Sequence, residues 1–454
     1  MHPTMFPRRG FAGRALVTLV HTAHMGAGNE RYRRLGGIVA LLGAAGSGLM
    51  GCSHHTHPVA TAATMSVVPQ TALLDEAVAV SLHGLPAGAR ITVTAKATDA
   101  DGTSWASSAQ FTASPAGAVS LSQASVGGSY SGVNPMGLFV FMAPASAGSA
   151  ATTFLSPASG YDVSLRATVD GRVAGTAIAH RRSAPSLGLI KKDLRPSTSG
   201  IYGELYLPAK PIRARPAVLI FGGSDGGLSP FAATLLAAHG YPVLALAYFK
   251  EPGLPQTLAN IPLEYFAKAL TVLRAQPGVD PHHVLVKGVS RGGEVALLLG
   301  ATYPQLINGV VANVPSSLVN TGYPDASKPA WTLHGQPLPN VGPNGFGNAS
   351  PAQHPQAVIA VEKIRGPVLL TCGAEDLIWP SCRYVDAITT RLHAQHFAYP
   401  VTALHYADAG HVDAISYYSA TLAAFARFGG TLSGDQAAQI DGHRQLLAFL
   451  TAQD

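Results

Sequence analysis

Charge is scarce in this sequence: Asp, Glu, Lys and Arg make up 12% of its 454 residues. With 47% hydrophobic residues, that excludes a chain kept disordered by charge and polarity. No block of Lys and Arg is interleaved with aromatics, so nucleic acid is not expected as a partner. The formal net charge is +6, and part of it sits near the N-terminus in Arg8, Arg9, Arg14, Arg31, Arg33 and Arg34. Cysteine is rarer still, at three residues: Cys52, Cys372 and Cys382. That excludes a disulfide framework, and the spacing fits no metal site. Cys372 and Cys382 are free to pair in an oxidising compartment or to stay buried as small apolar residues, and both readings remain open. An unbroken apolar run of about 18 residues, as a spanning helix needs, is also missing. What is plentiful is Gly (49) and Pro (33), the mark of a loop-rich globular chain. The length suits two domains behind a leader, each able to bury a core of its own.

The leader is read over residues 1–51. Arg31-Tyr-Arg-Arg34 precedes an apolar, Gly-rich stretch from Leu35 to Met50, then Gly51-Cys52. A basic segment, a short apolar segment and small residues make a secretory signal. Leu49-Met50-Gly51-Cys52 resembles a bacterial lipobox, which implies lipidation of Cys52 and a membrane anchor. An uncleaved signal anchor is the alternative. Met25, just ahead of the basic residues, is expected to be the true start. Residues 52–64 read as a tether, whose His54, His55 and His57 are expected to be solvated rather than metal-bound.

From 65 to 185 short alternating runs lie between turn residues: 77–82, 89–95, 111–113 and 161–169 predict strands. Asp99-Ala-Asp-Gly102 and Asp170-Gly171 predict hairpin turns. The pattern suggests an immunoglobulin-like β-sandwich. From 186 to 454 the texture changes. Strands are predicted over 217–221, 242–248, 283–287, 306–314, 368–372 and 401–406, and helices over 230–238, 263–274, 292–300 and 436–451. Strands alternating with helices imply a mainly parallel sheet covered on both faces, with chemistry at the carboxyl ends of the strands. The fold class expected is α/β: an α/β-hydrolase catalytic domain preceded by a β-sandwich.

Gly-x-Ser-x-Gly occurs twice, around Ser224 and around Ser290. Such an elbow needs a strand before it, a helix after it, and glycines at a sharp turn. Chain order separates the two, because an oxyanion loop precedes the nucleophile, and the acid and histidine follow it. Ser290 satisfies this order: the Gly-rich loop at 222–227 lies upstream, and Asp376 and then His411 follow. A serine hydroxyl attacks only when an imidazole takes its proton, the role expected of His411, with Asp376 holding the ring. The Arg291 backbone N–H and the Gly223-Ser224 segment are the expected oxyanion donors. Competing acids are Glu375 and Asp408. His405, inside an alternating strand, is expected to be structural.

These residues resemble the acyl-CoA thioesterase and bile-acid-CoA:amino-acid N-acyltransferase family. The resemblance spans about residues 68–452 and rests on several strings. They include Gly128-Ser-Tyr-Ser-Gly-Val-Asn-Pro-Met-Gly-Leu138, Phe221-Gly222-Gly223 with Gly226-Gly227-Leu228, Ala245-Leu-Ala-Tyr248 and Leu263-Glu-Tyr-Phe266. Gly288-Val-Ser-Arg-Gly-Gly-Glu294, Leu338-Pro339, Glu375-Asp376 with Trp379, and Ala409-Gly410-His411 complete it. The resemblance implies an immunoglobulin-like domain on an α/β-hydrolase, and favours Asp376 over Glu375. It makes Glu294 a local hydrogen-bonding support. It also sorts the chemistry: members with a cysteine nucleophile pass the acyl group to an amine, whereas a serine ester goes mainly to water. Val412-Asp-Ala-Ile-Ser-Tyr417 replaces the Pro-rich stretch usual after the histidine.

The function expected is therefore a serine hydrolase of acyl thioesters, with a small acyl thioester or ester as substrate and neither metal nor organic cofactor. Two alternatives stand beside it: an exported carboxylic-ester hydrolase or peptidase, and a non-catalytic envelope lipoprotein. The sequence does not fix the oligomeric state. The segment 316–356, rich in Pro, Gly and Asn, is expected to form a lid or pocket wall.

Overall fold

The structure, a computed structural model, describes residues 63–183, 188–209, 213–347, 349–417 and 426–454. The leader, Cys52, nearly all of the tether and the junction at 185/186 lie outside the described residues.

The N-terminal part is built from short strands that alternate buried and exposed residues. Arg90–Thr98 and Ser104–Thr112 pair antiparallel in register from Arg90↔Thr112 to Thr98↔Ser104, joined by the Asp99–Gly102 turn. Asp99 fastens that turn by accepting from the Asp101 and Thr103 amides and from Trp105 Nε1. Gly160–Val169 and Arg172–Arg182 form the second long hairpin across Asp170-Gly171. These strands belong to one sheet, and Thr64–Val68, Ala79–His83 and Val119–Ser120 form another. One core lies on them, with Val93, Trp105, Phe111, Leu138 and Leu165 inside.

The C-terminal part holds one eight-stranded sheet. Its strands are β1 (Ile190–Leu194), β2 (Tyr202–Leu207), β3 (Arg215–Phe221), β4 (Val243–Ala247), β5 (Val279–Val289), β6 (Val310–Asn313), β7 (Val368–Gly373) and β8 (Val401–Tyr406). They lie in the order β1-β2-β4-β3-β5-β6-β7-β8; β2 runs antiparallel to its neighbours, and β4 to β8 are parallel. This crossed, mostly parallel order is that of an α/β-hydrolase sheet. Both faces are covered, so the central strands are apolar throughout, and successive residues enter opposite cores. Leu219, Val286 and Leu370 pack with helices α2 (Leu263–Arg274), α3 (Arg291–Thr302) and α4 (Ser381–Ala394). Val218, Leu285 and Leu369 pack with α1 (Pro230–Ala238) and α5 (Leu432–Thr451). Proline at its first turn starts α1, and Thr431 caps α5 by accepting from the Gly434 amide.

β1, β2 and α4 were not expected from sequence, and α5 starts four residues earlier than expected. β1 is a charged edge strand with no buried residue, so it carries no alternation to read.

Candidate active site

The carboxyl ends of β3, β5, β7 and β8 converge, and each delivers one part of the site. Phe221 pairs with Gly288, so the loop after β3 lies beside the turn after β5. Ser290 is that turn. Its φ of 57° puts a non-glycine residue in the left-handed region, between a strand and α3. The turn closes only because its flanks lack side chains: a Cβ on Gly288 would lie 2.1 Å from Gly292 O, and one on Gly292 2.4 Å from Gly222 O. The Ser290 amide donates to Asn313 O (2.9 Å) at the end of β6.

The loop after β3 lies directly on the serine, with Ser290 Oγ 3.6 Å from where a Gly223 Cβ would stand. Tyr248, at the end of β4, holds this loop by donating its hydroxyl to Gly222 O and Gly223 O, both at 3.0 Å. Burial pushes its phenol pKa up, so the hydroxyl keeps its proton. Gly223 and Ser224 line the same cavity as Ser290.

Asp376 follows β7. Its Oδ1 accepts from the Ile378 amide (2.9 Å) and the Trp379 amide (3.1 Å), and its Oδ2 is 2.8 Å from His411 Nδ1. Both side chains are buried, at 1% and 6% exposure. Trp379 packs edge-on against the His411 ring at 5.4 Å, and Phe428 stacks at 6.5 Å. His411 Nε2 is buried without a hydrogen-bond partner, and His411 and Ser290 line one cavity of about 510 Å³. Tyr323, Phe346, Leu377 and Phe428 give that cavity an apolar wall, and the first two come from the 316–356 segment. Of the competing residues, His405 faces Asp386 at 2.9 Å on β8, and Glu375 and Asp408 do not line the cavity. Cys372 and Cys382 form a disulfide that closes the loop carrying Asp376.

Two supports were not legible in the sequence, and a third, Glu294, was expected only as a local hydrogen-bonding support. Lys287, 2% exposed on β5, donates to both carboxylate oxygens of Asp413 (2.8 and 3.0 Å), two residues beyond His411. This ties the strand that carries the serine to the loop that carries the histidine. Asp435, at the start of α5, accepts from the Gly410 amide at 2.8 Å. The third is the Arg291–Glu294 pair, both side chains wholly buried, with Arg291 Nε 2.9 Å from Glu294 Oε2. Glu294 Oε1 also accepts from Trp331 Nε1 (2.7 Å) and the Asn320 amide (3.0 Å). Arg291 Nη1 donates to Thr321 O (2.8 Å). The pair fixes the start of α3 to the 316–356 segment, so Glu294 lies in a structural network, away from the cavity lining.

Asp435 yields a pH prediction. Burial raises its pKa to about 6, only partly opposed by the Gly410 amide. An acid raised above its unfolded value binds more protons in the native state, so its contribution is present below about pH 4 and is lost as pH rises through about 6. Asp435→Asn keeps an acceptor for Gly410 and removes the titration. Urea unfolding from pH 4 to 7 is expected to show wild type losing stability relative to the variant; parallel curves would refute the assignment.

Residues 261–453 match the model described as "BAAT / Acyl-CoA thioester hydrolase C terminal", and residues 75–190 match "Acyl-CoA thioester hydrolase/BAAT N-terminal region". A rat acyl-coenzyme A amino acid N-acyltransferase 2 is 31% identical over 405 residues, covering 84% of this chain and 96% of the relative. The chain belongs to the acyl-CoA thioester hydrolase/BAAT family. Mouse mitochondrial acyl-coenzyme A thioesterase 2 is 29% identical over 418 residues, covering 87% of this chain and 90% of its own. Among solved structures, a mycobacterium tuberculosis puromycin-hydrolyzing peptidase aligns at 14% identity over 79% of this chain and 53% of its own, with a TM-score of 0.41. The fold assignment rests on the sheet order instead. Within the family this chain is a hydrolase of the α/β class.

Proposed function

We propose that the protein is an exported serine thioesterase that cleaves acyl thioesters through an acyl-enzyme on Ser290. One observation carries the reading: Asp376 holds His411 by Nδ1, while Nε2 is left without a partner beside the cavity that contains Ser290. His411 Nε2 takes the Ser290 proton as Oγ attacks the acyl carbonyl. The proton then passes to the departing thiolate. Water, deprotonated by the same nitrogen, releases the acid and restores the serine. The Arg291 backbone N–H and the Gly223-Ser224 segment are assigned to the developing oxyanion. The apolar wall suits an acyl chain, and serine at position 290 favours water over an amine as acceptor.

Export and lipidation at Cys52 belong to the same reading. They are supported by the signal-like leader and by the Cys372–Cys382 disulfide, which suits an oxidising compartment. That disulfide also favours a second reading, in which the leaving group is an alcohol because coenzyme A is not expected outside the cytoplasm. The deciding experiment compares an acyl-CoA series with matched p-nitrophenyl esters. Thioester turnover at least as fast as ester turnover is expected; turnover of esters alone would transfer the assignment to a carboxylic-ester hydrolase, and turnover of neither would remove the enzymatic reading. Expressed in bacterial cells, the chain is expected in the membrane fraction and released by Cys52→Ser; unchanged membrane association would refute the anchor.

A further inference from the structure

Away from the catalytic cavity, three side chains distant in sequence converge where the N-terminal sheets meet the hydrolase domain. Asp75 follows the short strand Thr71–Leu73, His239 is the C-cap of α1, and His443 lies on α5. Asp75 Oδ2 stands 2.7 Å from His239 Nε2 and 2.8 Å from His443 Nε2. The Asp75 side chain is wholly buried, His443 is 4% exposed and His239 27%. The second Asp75 oxygen, Oδ1, is buried with no hydrogen-bond partner.

We propose that Asp75, His239 and His443 form a structural binding site for a divalent transition-metal ion of the zinc type. Two imidazoles and one carboxylate are a ligand set that such ions accept. Both histidines present Nε2, and one ligand atom from each residue lies within 4.8 Å of the others. Bonds of about 2.0–2.1 Å in a tetrahedral site put ligand atoms about 3.3 Å apart. Opening the two nitrogen–oxygen distances by about half an ångström therefore makes room for the ion. With Oδ1 unpartnered, the buried carboxylate is short of counter-charge, and a cation held at Oδ2 would supply it. The partial exposure of His239 gives the ion a route in and leaves its fourth position to water.

The protons balance. Coordination needs a lone pair on each Nε2. A neutral imidazole that donates from Nε2 moves its proton to Nδ1, and an imidazolium releases one to solvent, so binding weakens as pH falls. The charged groups around the site are fixed. Arg181 donates to Leu74 O and Glu76 O on either side of Asp75. Glu76 and Arg215 act on His239 with opposite signs, and Tyr417 stands near Asp75. The other cluster of this kind among the described residues, Cys372, Cys382 and His405, is spent: its sulfurs are bonded to each other, and His405 engages Asp386.

The test uses the full chain with His54, His55 and His57 replaced by Ala, so that the tether contributes no ligand. After chelation, zinc chloride alone is titrated by calorimetry at pH 7.5 and pH 6, and cobalt(II) is followed by its visible absorption. One equivalent is expected to bind, more weakly at pH 6, with a rise in the thermal midpoint. His239→Ala, at a partly exposed helix C-cap, is expected to keep its circular dichroism and lose at least about tenfold in affinity together with the cobalt band. Absence of binding in the parent chain, or affinity and spectrum unchanged in His239→Ala, overturns the proposal. Ester or thioester turnover is expected to persist in that variant, so this result stands apart from the catalytic assignment.

Discussion

Replacing Ser290 by alanine is expected to lower kcat by about 10⁴- to 10⁶-fold and to abolish labelling by a fluorophosphonate probe. Alanine removes the hydroxyl alone. The turn survives, because its geometry comes from Gly288 and Gly292 and from the Ser290 amide bond to Asn313, none of which involves the hydroxyl. The denaturation midpoint should therefore stay put while activity disappears. Asp376→Asn separates orientation from nucleophilicity. The amide oxygen continues to accept from the Ile378 and Trp379 amides, so the loop keeps its shape. Its nitrogen then faces His411 Nδ1 as a donor, selecting the tautomer that leaves Nε2 protonated and unable to take the serine proton; a loss of about 10⁴-fold in kcat is expected. A Ser290→Ala enzyme that retained a hundredth of wild-type turnover would end the assignment of the nucleophile.

Glu294→Ala is expected to cost about 3–5 kcal/mol of stability, read from urea unfolding. The wholly buried Arg291 guanidinium would lose its counter-charge, and Trp331 Nε1 and the Asn320 amide would lose their acceptor. Glu294→Gln distinguishes the two effects. It keeps an acceptor for the tryptophan and removes only the charge, so a smaller loss is expected. A loss below about 1 kcal/mol in Glu294→Ala would mean that water or rearrangement replaces the carboxylate. Because the network fixes the start of α3, some loss of turnover should accompany the loss of stability.

The parts of the site readable in the sequence are those that chain order constrains. An elbow motif between a strand and a helix, with a Gly-rich loop upstream and an acid and a histidine downstream, leaves few permutations for Ser290, Asp376 and His411. Helices α1 and α2 fall where expected because Pro230 and Pro262 mark their starts. Helix α4 does not stand out in the sequence, although Pro380 precedes it and Tyr384, Val385, Ile388 and Leu392 are buried at helical spacing. Its Val, Ile and Thr residues are weak helix formers, so packing rather than propensity holds it. Lys287 reads in sequence as an ordinary strand residue. Its partner Asp413 lies 126 positions away, and no local pattern joins them. Asp435 and Asp75 are hidden in the same way, since each acquires its role from groups that only the tertiary fold brings near.

The disulfide between Cys372 and Cys382 brackets the loop from Gly373 to Ser381, and inside it stand two residues with different tasks. Asp376 is held by amides of its own loop, whereas Leu377, 69% exposed, is part of the cavity wall. A covalent clasp at the base and hydrogen bonds at the acid hold the loop, and Leu377 adds a backbone bond from its amide to Phe428 O, so its side chain is not needed for these ties. Replacing the Leu377 side chain is therefore expected to reshape one patch of the cavity wall while the amides that hold Asp376 stay in place, so this loop would let preference change without disturbing the Asp376–His411 pair.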